Sequence, residues 1–177
     1  MRTQILASVS LLAAGAYAQA CLTTAEAQLV ADNFQALIDQ PFSIPLAEAA
    51  LTEDYVDWAS GVNTLINSGC AAPLSLTGPT FTNRTDFIKG QSGQAPIGFQ
   101  ILNLWNNCDT VMLRWRGTNL GGPTTPAEDT TGMIVLEVVQ NTSSTTQPWQ
   151  IQTSYSEFNS GAWLYDLGVF KPTNCTS

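Results

Sequence analysis

The chain has 177 residues, 44% of them hydrophobic, with 14 acidic residues against 6 basic ones, no histidine and a formal net charge of −8. Such an acidic surface repels phosphate backbones and anionic headgroups, which argues against nucleic acid and against membranes as partners. With no histidine and no C-x-x-C pair, a structural zinc site is a poor fit as well.

Residues 1–20 read as an export signal. Arg2 supplies a positive start, Ile5 to Ala14 an apolar core, and A-Y-A-Q-A the small residues of a cleavage site. The core is too short to span a bilayer, which takes roughly 20 apolar residues. The expectation is a secreted, extracellular protein whose residues 21–177 form a single domain. Four cysteines, Cys21, Cys70, Cys108 and Cys175, are expected to form two disulfides outside the cell. Of the pairings open to them, Cys21–Cys175 with Cys70–Cys108 is the one leaned to, because it ties the termini. Three N-x-S/T sequons, at Asn83, Asn141 and Asn174, fall where loops or termini are expected and suit N-glycosylation.

Thr23-Thr24-Ala25-Glu26 forms a capping box, after which Leu29, Val30, Phe34, Leu37 and Ile38 recur at helical spacing until Pro41 and Pro45. Leu46 to Leu51 predicts a second, short helix. Thr52 to Ser60 predicts a short first strand: Tyr55, Val56 and Trp58 favour it, while Glu53, Asp54 and Asp57 resist it. A helical turn over Val62 to Ser68, a loop or edge strand over Pro73 to Pro79 and a short helix over Thr85 to Gln91 follow. Ile97 to Arg116 then reads as a β-hairpin turning at Asn106-Asn107, since Asn tolerates the left-handed backbone of a tight turn. Further strands are expected over Gly132 to Gln140 and Trp149 to Phe158. The near-continuous apolar run Met133 to Val139 implies cover on both faces. Helices first and consecutive strands after them make an α+β protein, a curved antiparallel sheet wrapped on the N-terminal helix.

Several stretches together carry a resemblance: C-L-T-T-A-E-A-Q, T-E-D-Y-V-D, N-T-L-I-N-S-G-C, I-L-N-L-W-N-N-C-D-T-V-M-L-R-W-R and Y-S-E-F-N-S-G-A-W-L-Y-D-L-G-V-F. They resemble secreted fungal proteins with a nuclear transport factor 2-like domain, the cone shared with ketosteroid isomerases, scytalone dehydratases and polyketide cyclases (SnoaL-like proteins). The resemblance covers the mature chain. It implies a pocket between the concave sheet face and the long helix, and a homodimer through the sheet's outer face. The scytalone dehydratase pattern needs histidines and is excluded.

Within such a cone, Arg114 and Arg116 share one strand face, with Met112. If that face is concave, Arg114 orients an anionic or carbonyl ligand; the duller alternative is an ion pair with Glu137 or Glu157. Glu137, set among apolar residues, and Glu157 are the candidate general bases. Tyr155, on the face of Glu157, is a candidate oxyanion donor. Glu53, Asp54 and Asp57 lack the spacing of a calcium loop and read as a solvated acidic turn. The five tryptophans read as core rather than as stacking platforms. No serine-hydrolase elbow, phosphate loop or dinucleotide fingerprint is present, and no cofactor or metal is expected. The favoured function is a non-enzymatic module that binds a small apolar molecule or a protein. The alternative is a cofactor-free lyase, isomerase or cyclase using a pocket carboxylate as general base.

Overall fold

The computed structural model describes residues 20–39, 41–120 and 128–170. Residues 1–19 of the expected export signal, the third sequon at Asn174 and Cys175 lie outside the described residues. Ten elements follow in order: α1 (Thr24–Ile38), α2 (Ile44–Ala50), β1 (Leu51–Trp58), α3 (Ser60–Ile66), α4 (Arg84–Gln91), β2 (Gly98–Asn106), β3 (Thr110–Thr118), β4 (Thr130–Gln140), β5 (Trp149–Phe158) and α5 (Ser160–Asp166).

The predicted capping box starts α1. Thr23 Oγ1 accepts the Glu26 N–H at 3.2 Å, and the Glu26 carboxylate accepts the Thr23 N–H at 2.8 Å. One stripe of the helix, Ala27, Val30, Ala31, Phe34 and Leu37, is buried. Its last turn is pinned to β2. Gln35 Nε2 donates to Phe99 O at 2.8 Å, and Asp39 Oδ1 accepts the Phe99 N–H at 3.1 Å. Ser43 caps α2, with Pro45 in the first turn, where a missing N–H costs nothing. Asn83 caps α4 by accepting the Asp86 N–H at 2.8 Å, and the helix starts at Arg84, one or two residues earlier than the Thr85 or Asp86 start expected. The segment after β5, for which no element was predicted, turns into α5 because Asn159 Oδ1 accepts the Ala162 N–H at 3.1 Å.

The five strands form one sheet in the order β1-β5-β4-β3-β2. Pairings among β2 to β5 are antiparallel as expected, whereas β1 runs parallel to β5. The chain leaves β1 through α3 and α4 and reaches β5 only after the meander of β2 to β4. The inner face, with Phe99, Val111, Leu113, Trp115, Ile134, Leu136 and Ile151, packs against α1 in the hydrophobic core. No helix among the described residues is long and apolar enough to cross a membrane.

Two expectations need correction. The Met133 to Val139 run is not covered on both faces. Burial alternates along β4, with Met133 and Val139 exposed, so half of its apolar residues point outward. The disulfide pairing also differs, since Cys21 bonds Cys108. The segment leading into α1 lies against the β2–β3 turn, where the Leu22 N–H donates to Cys108 O at 3.0 Å, and this holds the two cysteines together. Cys70, beyond α3, is exposed and forms no disulfide among the described residues, so neither the expected Cys70–Cys108 bond nor Cys21–Cys175 is made.

Candidate functional site

Between the inner sheet face and the helices lies a cavity of about 380 Å³. Phe34 and Ile38 of α1, Val62, Leu65 and Ile66 on and around α3, Phe87 of α4, and Phe99, Trp115, Ile134 and Phe158 of the sheet make most of its wall. Stacking of Phe99 on Trp115 (centroids 4.8 Å) and edge contact of Trp115 with Phe158 (5.6 Å) brace the sheet side. A mostly apolar enclosure with a few polar groups is the usual form of a small-molecule site.

One of those polar groups is a carboxylate, Asp57, only 6% exposed. An irregularity in the β1–β5 register between Leu51 and Val56 separates the solvent-facing Glu53 and Asp54 from the inward-facing Tyr55 and Asp57. The Asp57 backbone is bridged to the Thr80–Phe81 segment: its N–H donates to Phe81 O at 2.9 Å, and its carbonyl accepts the Thr80 N–H at 2.7 Å. Ser154 Oγ of β5 donates to Asp57 Oδ1 in a short bond. Because a hydroxyl has one proton, Tyr55 Oη must then donate to Ser154 Oγ, 2.6 Å away. Tyr55 is fully buried, with its ring edge-on to Phe87 at 5.3 Å.

The electrostatics follow from this burial. Loss of water raises the Asp57 carboxyl from 3.8 to about 6, although the bonds from Ser154 and Tyr55 favour the ion. Desolvation, reinforced by the charge of Asp57, pushes the Tyr55 phenol well above its usual value. Near neutral pH the site therefore presents one buried carboxylate able to take a proton, backed by a neutral hydroxyl relay.

The residues singled out from sequence lie elsewhere. On β3 the buried positions are Val111, Leu113 and Trp115, so Arg114, Arg116 and Met112 occupy the convex face. Glu137, Tyr155 and Glu157 are exposed on the same outer face, and none of the four proposed catalytic residues lines the cavity. The condition for Arg114 to sit inside the cone, a concave face, is thus not met. Its Nη1 reaches Asn103 Oδ1 at 3.5 Å, and among the described residues it pairs with neither Glu137 nor Glu157. Arg116 donates to Gln100 Oε1 at 2.7 Å and approaches Asp129 at 3.8 Å. Glu157 accepts from Ser60 Oγ at 3.1 Å. Asp57, read as part of a solvated turn, is the residue that sequence reasoning missed. The usable signal was Tyr55-x-Asp57, two residues sharing one strand face, and it was masked by the two exposed acids just before it.

The tryptophans divide. Trp115 and Trp149 are core, while Trp58 and Trp105 are 39% and 46% exposed. Strand register sets Trp58 opposite Tyr155, Tyr155 opposite Val135, Val135 opposite Met112, and Met112 opposite Trp105. One apolar residue from every strand therefore forms a belt across the outer face. Beside it runs a mixed row of Glu157, Met133, Arg114 and Asn103.

A curved sheet packed on a long helix, with short helices closing an apolar cavity between them, is the arrangement of an α+β cone protein. Residues 20–170 match the family model of the NTF2-like domain, and the chain belongs to that family. Its fold is shared with a candidate polyketide cyclase of Bacillus cereus at TM-score 0.58, 16% identity, 93% of this chain and 100% of that one. AclR, a candidate hydroxylase of Streptomyces galilaeus, aligns at TM-score 0.57 and 14% identity over 85% of this chain and 86% of that one. A candidate ketosteroid isomerase of Kribbella flavida aligns at TM-score 0.52 and 12% identity, over 76% and 78%. Among curated proteins none matches. Identities this low speak to the fold alone.

Proposed function

We propose that the chain binds a small, predominantly apolar molecule in the cone and moves a proton on it with Asp57. It would then act as a cofactor-free isomerase, lyase or cyclase. The observation that carries this reading is a carboxyl raised to about 6 by burial in the wall of an apolar cavity. A general base is most effective when its pKa lies near the working pH, which such a value approaches. The catalytic assignment moves to Asp57 from Glu137, Glu157, Tyr155 and Arg114, because those four face outward. Similarity of fold to a candidate isomerase and a candidate cyclase is compatible with this chemistry and adds no residue to it.

The second reading is a non-enzymatic binding module. It is favoured by the hydrogen bonds that the Tyr55–Ser154 relay already supplies to Asp57. The two readings part in one experiment: wild type and Asp57→Asn are compared for ligand binding and for turnover of compounds retained on purification. Binding kept and turnover lost in the variant supports the enzyme. Binding by wild type with no turnover of any retained compound supports the module.

Export is part of the same proposal. The Cys21–Cys108 bond suits an oxidising compartment, and the processed chain 21–177 would be a single secreted domain. Asn141 sits in an exposed turn where its Oδ1 accepts the Ser143 N–H at 3.1 Å, a setting open to a glycan. Asn83 already uses its amide nitrogen on Asp86 Oδ2 at 2.9 Å, so it is the poorer acceptor. We also infer a homodimer through the outer face, supported by the uncharged belt from Trp58 to Trp105. Sedimentation of wild type and Met112→Asp tests it, since a charge in the belt centre should leave only monomer.

A further inference from the structure

A second recess, a groove of about 460 Å³, opens on the outer face of the sheet and has no part in the proton-transfer reading. Trp58 of β1, Tyr155 and Glu157 of β5 and Met133 of β4 line its sheet side, and residues 76–78 line the other. Strand register explains the sheet side. Trp58 stands opposite Tyr155, and Glu157, two residues further on and so on the same face, stands opposite Met133. The loop side is held by a fully buried amide: Asn63 Nδ2 donates to Ser75 O and to Gly78 O, each at 3.0 Å. Thr80 Oγ1 ties the end of the same loop to Ala59 O at 3.2 Å.

The charge in this groove has one sign. Glu157 is the charged residue of its lining, and no base lies beside it there. The Ser60 hydroxyl, 3.1 and 3.2 Å from the two carboxylate oxygens, donates its one proton to them and orients the group without neutralising it. Arg114 stands beyond Met133 in the same row and reaches away from Glu157, to Asn103. Neither of the ion pairs among the described residues involves Glu157. The Trp58 and Tyr155 rings are both exposed beside this carboxylate, and an aromatic face attracts a cation. Directional partners are few, because Ser60 is spent on Glu157 and the Thr77 hydroxyl lies 3.3 Å from that of Ser75. A sugar would bring many hydroxyls that each need a partner, whereas a weakly hydrated cation needs none.

We propose that the groove between β1, β5 and residues 76–78 binds an organic cation, a quaternary or methylated ammonium group resting on Trp58 and Tyr155 with Glu157 as its counter-charge. Met133 supplies apolar contact for the methyl groups. The site is separate from the cone and requires nothing of Asp57.

The test uses an isosteric pair, choline and 3,3-dimethylbutan-1-ol, which differ by a charged nitrogen in place of a carbon, at about 0.15 M salt. Binding is followed by the probe methyl protons, which the rings should move upfield, and by the Met133 methyl resonance. Choline should shift both, and the alcohol should shift neither. Glu157→Gln should weaken choline about three- to fivefold, the size of an exposed charge pair, and Trp58→Leu about fivefold. The wild-type and Glu157→Gln spectra decide the matter even if Trp58→Leu fails to fold. The same titrations on Met112→Asp, with and without Glu157→Gln, allow for a homodimer that covers the groove. Binding confined to the Met112→Asp protein and weakened by Glu157→Gln supports the site and shows that the dimer hides it. Equal binding of choline and the alcohol, or choline binding in neither protein, overturns the proposal. Choline binding that is lost in Asp57→Asn and kept in Glu157→Gln places the cation in the cone and overturns it as well.

Discussion

Replacing Asp57 by Asn should remove a specific pH dependence of stability. In the unfolded chain the carboxyl titrates near 3.8, and in the folded chain near 6. Between those values the folded state holds the extra proton, so stability must fall as pH rises through the window. The full difference corresponds to about 3 kcal/mol, and roughly 2 kcal/mol of it lies between about pH 4.5 and pH 7.5. Asn keeps an oxygen to accept the Ser154 hydroxyl but carries no charge to desolvate. The variant should therefore lose little over that interval and be the more stable of the two near pH 7.5. Urea melts of both proteins at the two pH values, compared at equal m, measure this directly. Parallel loss of stability in wild type and variant would refute the argument, because the slope would then belong to other groups. The opposite sign applies to Glu26. The Thr23 backbone N–H, then its hydroxyl, hold that carboxyl below the usual range, and its contribution is lost only as pH falls further.

Other perturbations act on separate parts of the fold. Gly132→Ala should destabilise by about 1–3 kcal/mol, since its Cβ would meet Phe158 Cβ, Glu157 O and Trp115 Nε1 at 2.6–2.7 Å; a thermal melt reads the loss. Thr23→Ala removes the α1 cap and should cost about 1 kcal/mol, most clearly in amide exchange of the first helical turn. Cys108→Ser opens a cross-link spanning 87 residues and should cost about 2–4 kcal/mol by chemical denaturation.

Local chemistry was legible wherever the responsible groups are close in sequence. The capping box at Thr23–Glu26, the stop at Pro41, the β2–β3 hairpin and the bounds of β5 all follow from residues a few positions apart. What failed involved a choice between two faces. Alternation places Arg114 with Met112 and Arg116, and Tyr155 with Glu157, but it does not say which side of the sheet α1 will cover. The Met133 to Val139 run carries the same ambiguity, since outward apolar residues and a doubly covered strand look alike in one dimension.

The amino-acid order alone determined an α+β chain with most of its helices ahead of a run of consecutive strands, and an acidic composition, because propensity, capping and period act over short separations. Only the tertiary structure decided that β1 pairs parallel with β5, that Cys21 meets Cys108, and that Asp57 rather than Glu137 or Glu157 lines the cavity. The physical reason is range. Burial and desolvation depend on groups about a hundred positions apart, such as Asp57 and Ser154, and these become neighbours only when the sheet closes over α1.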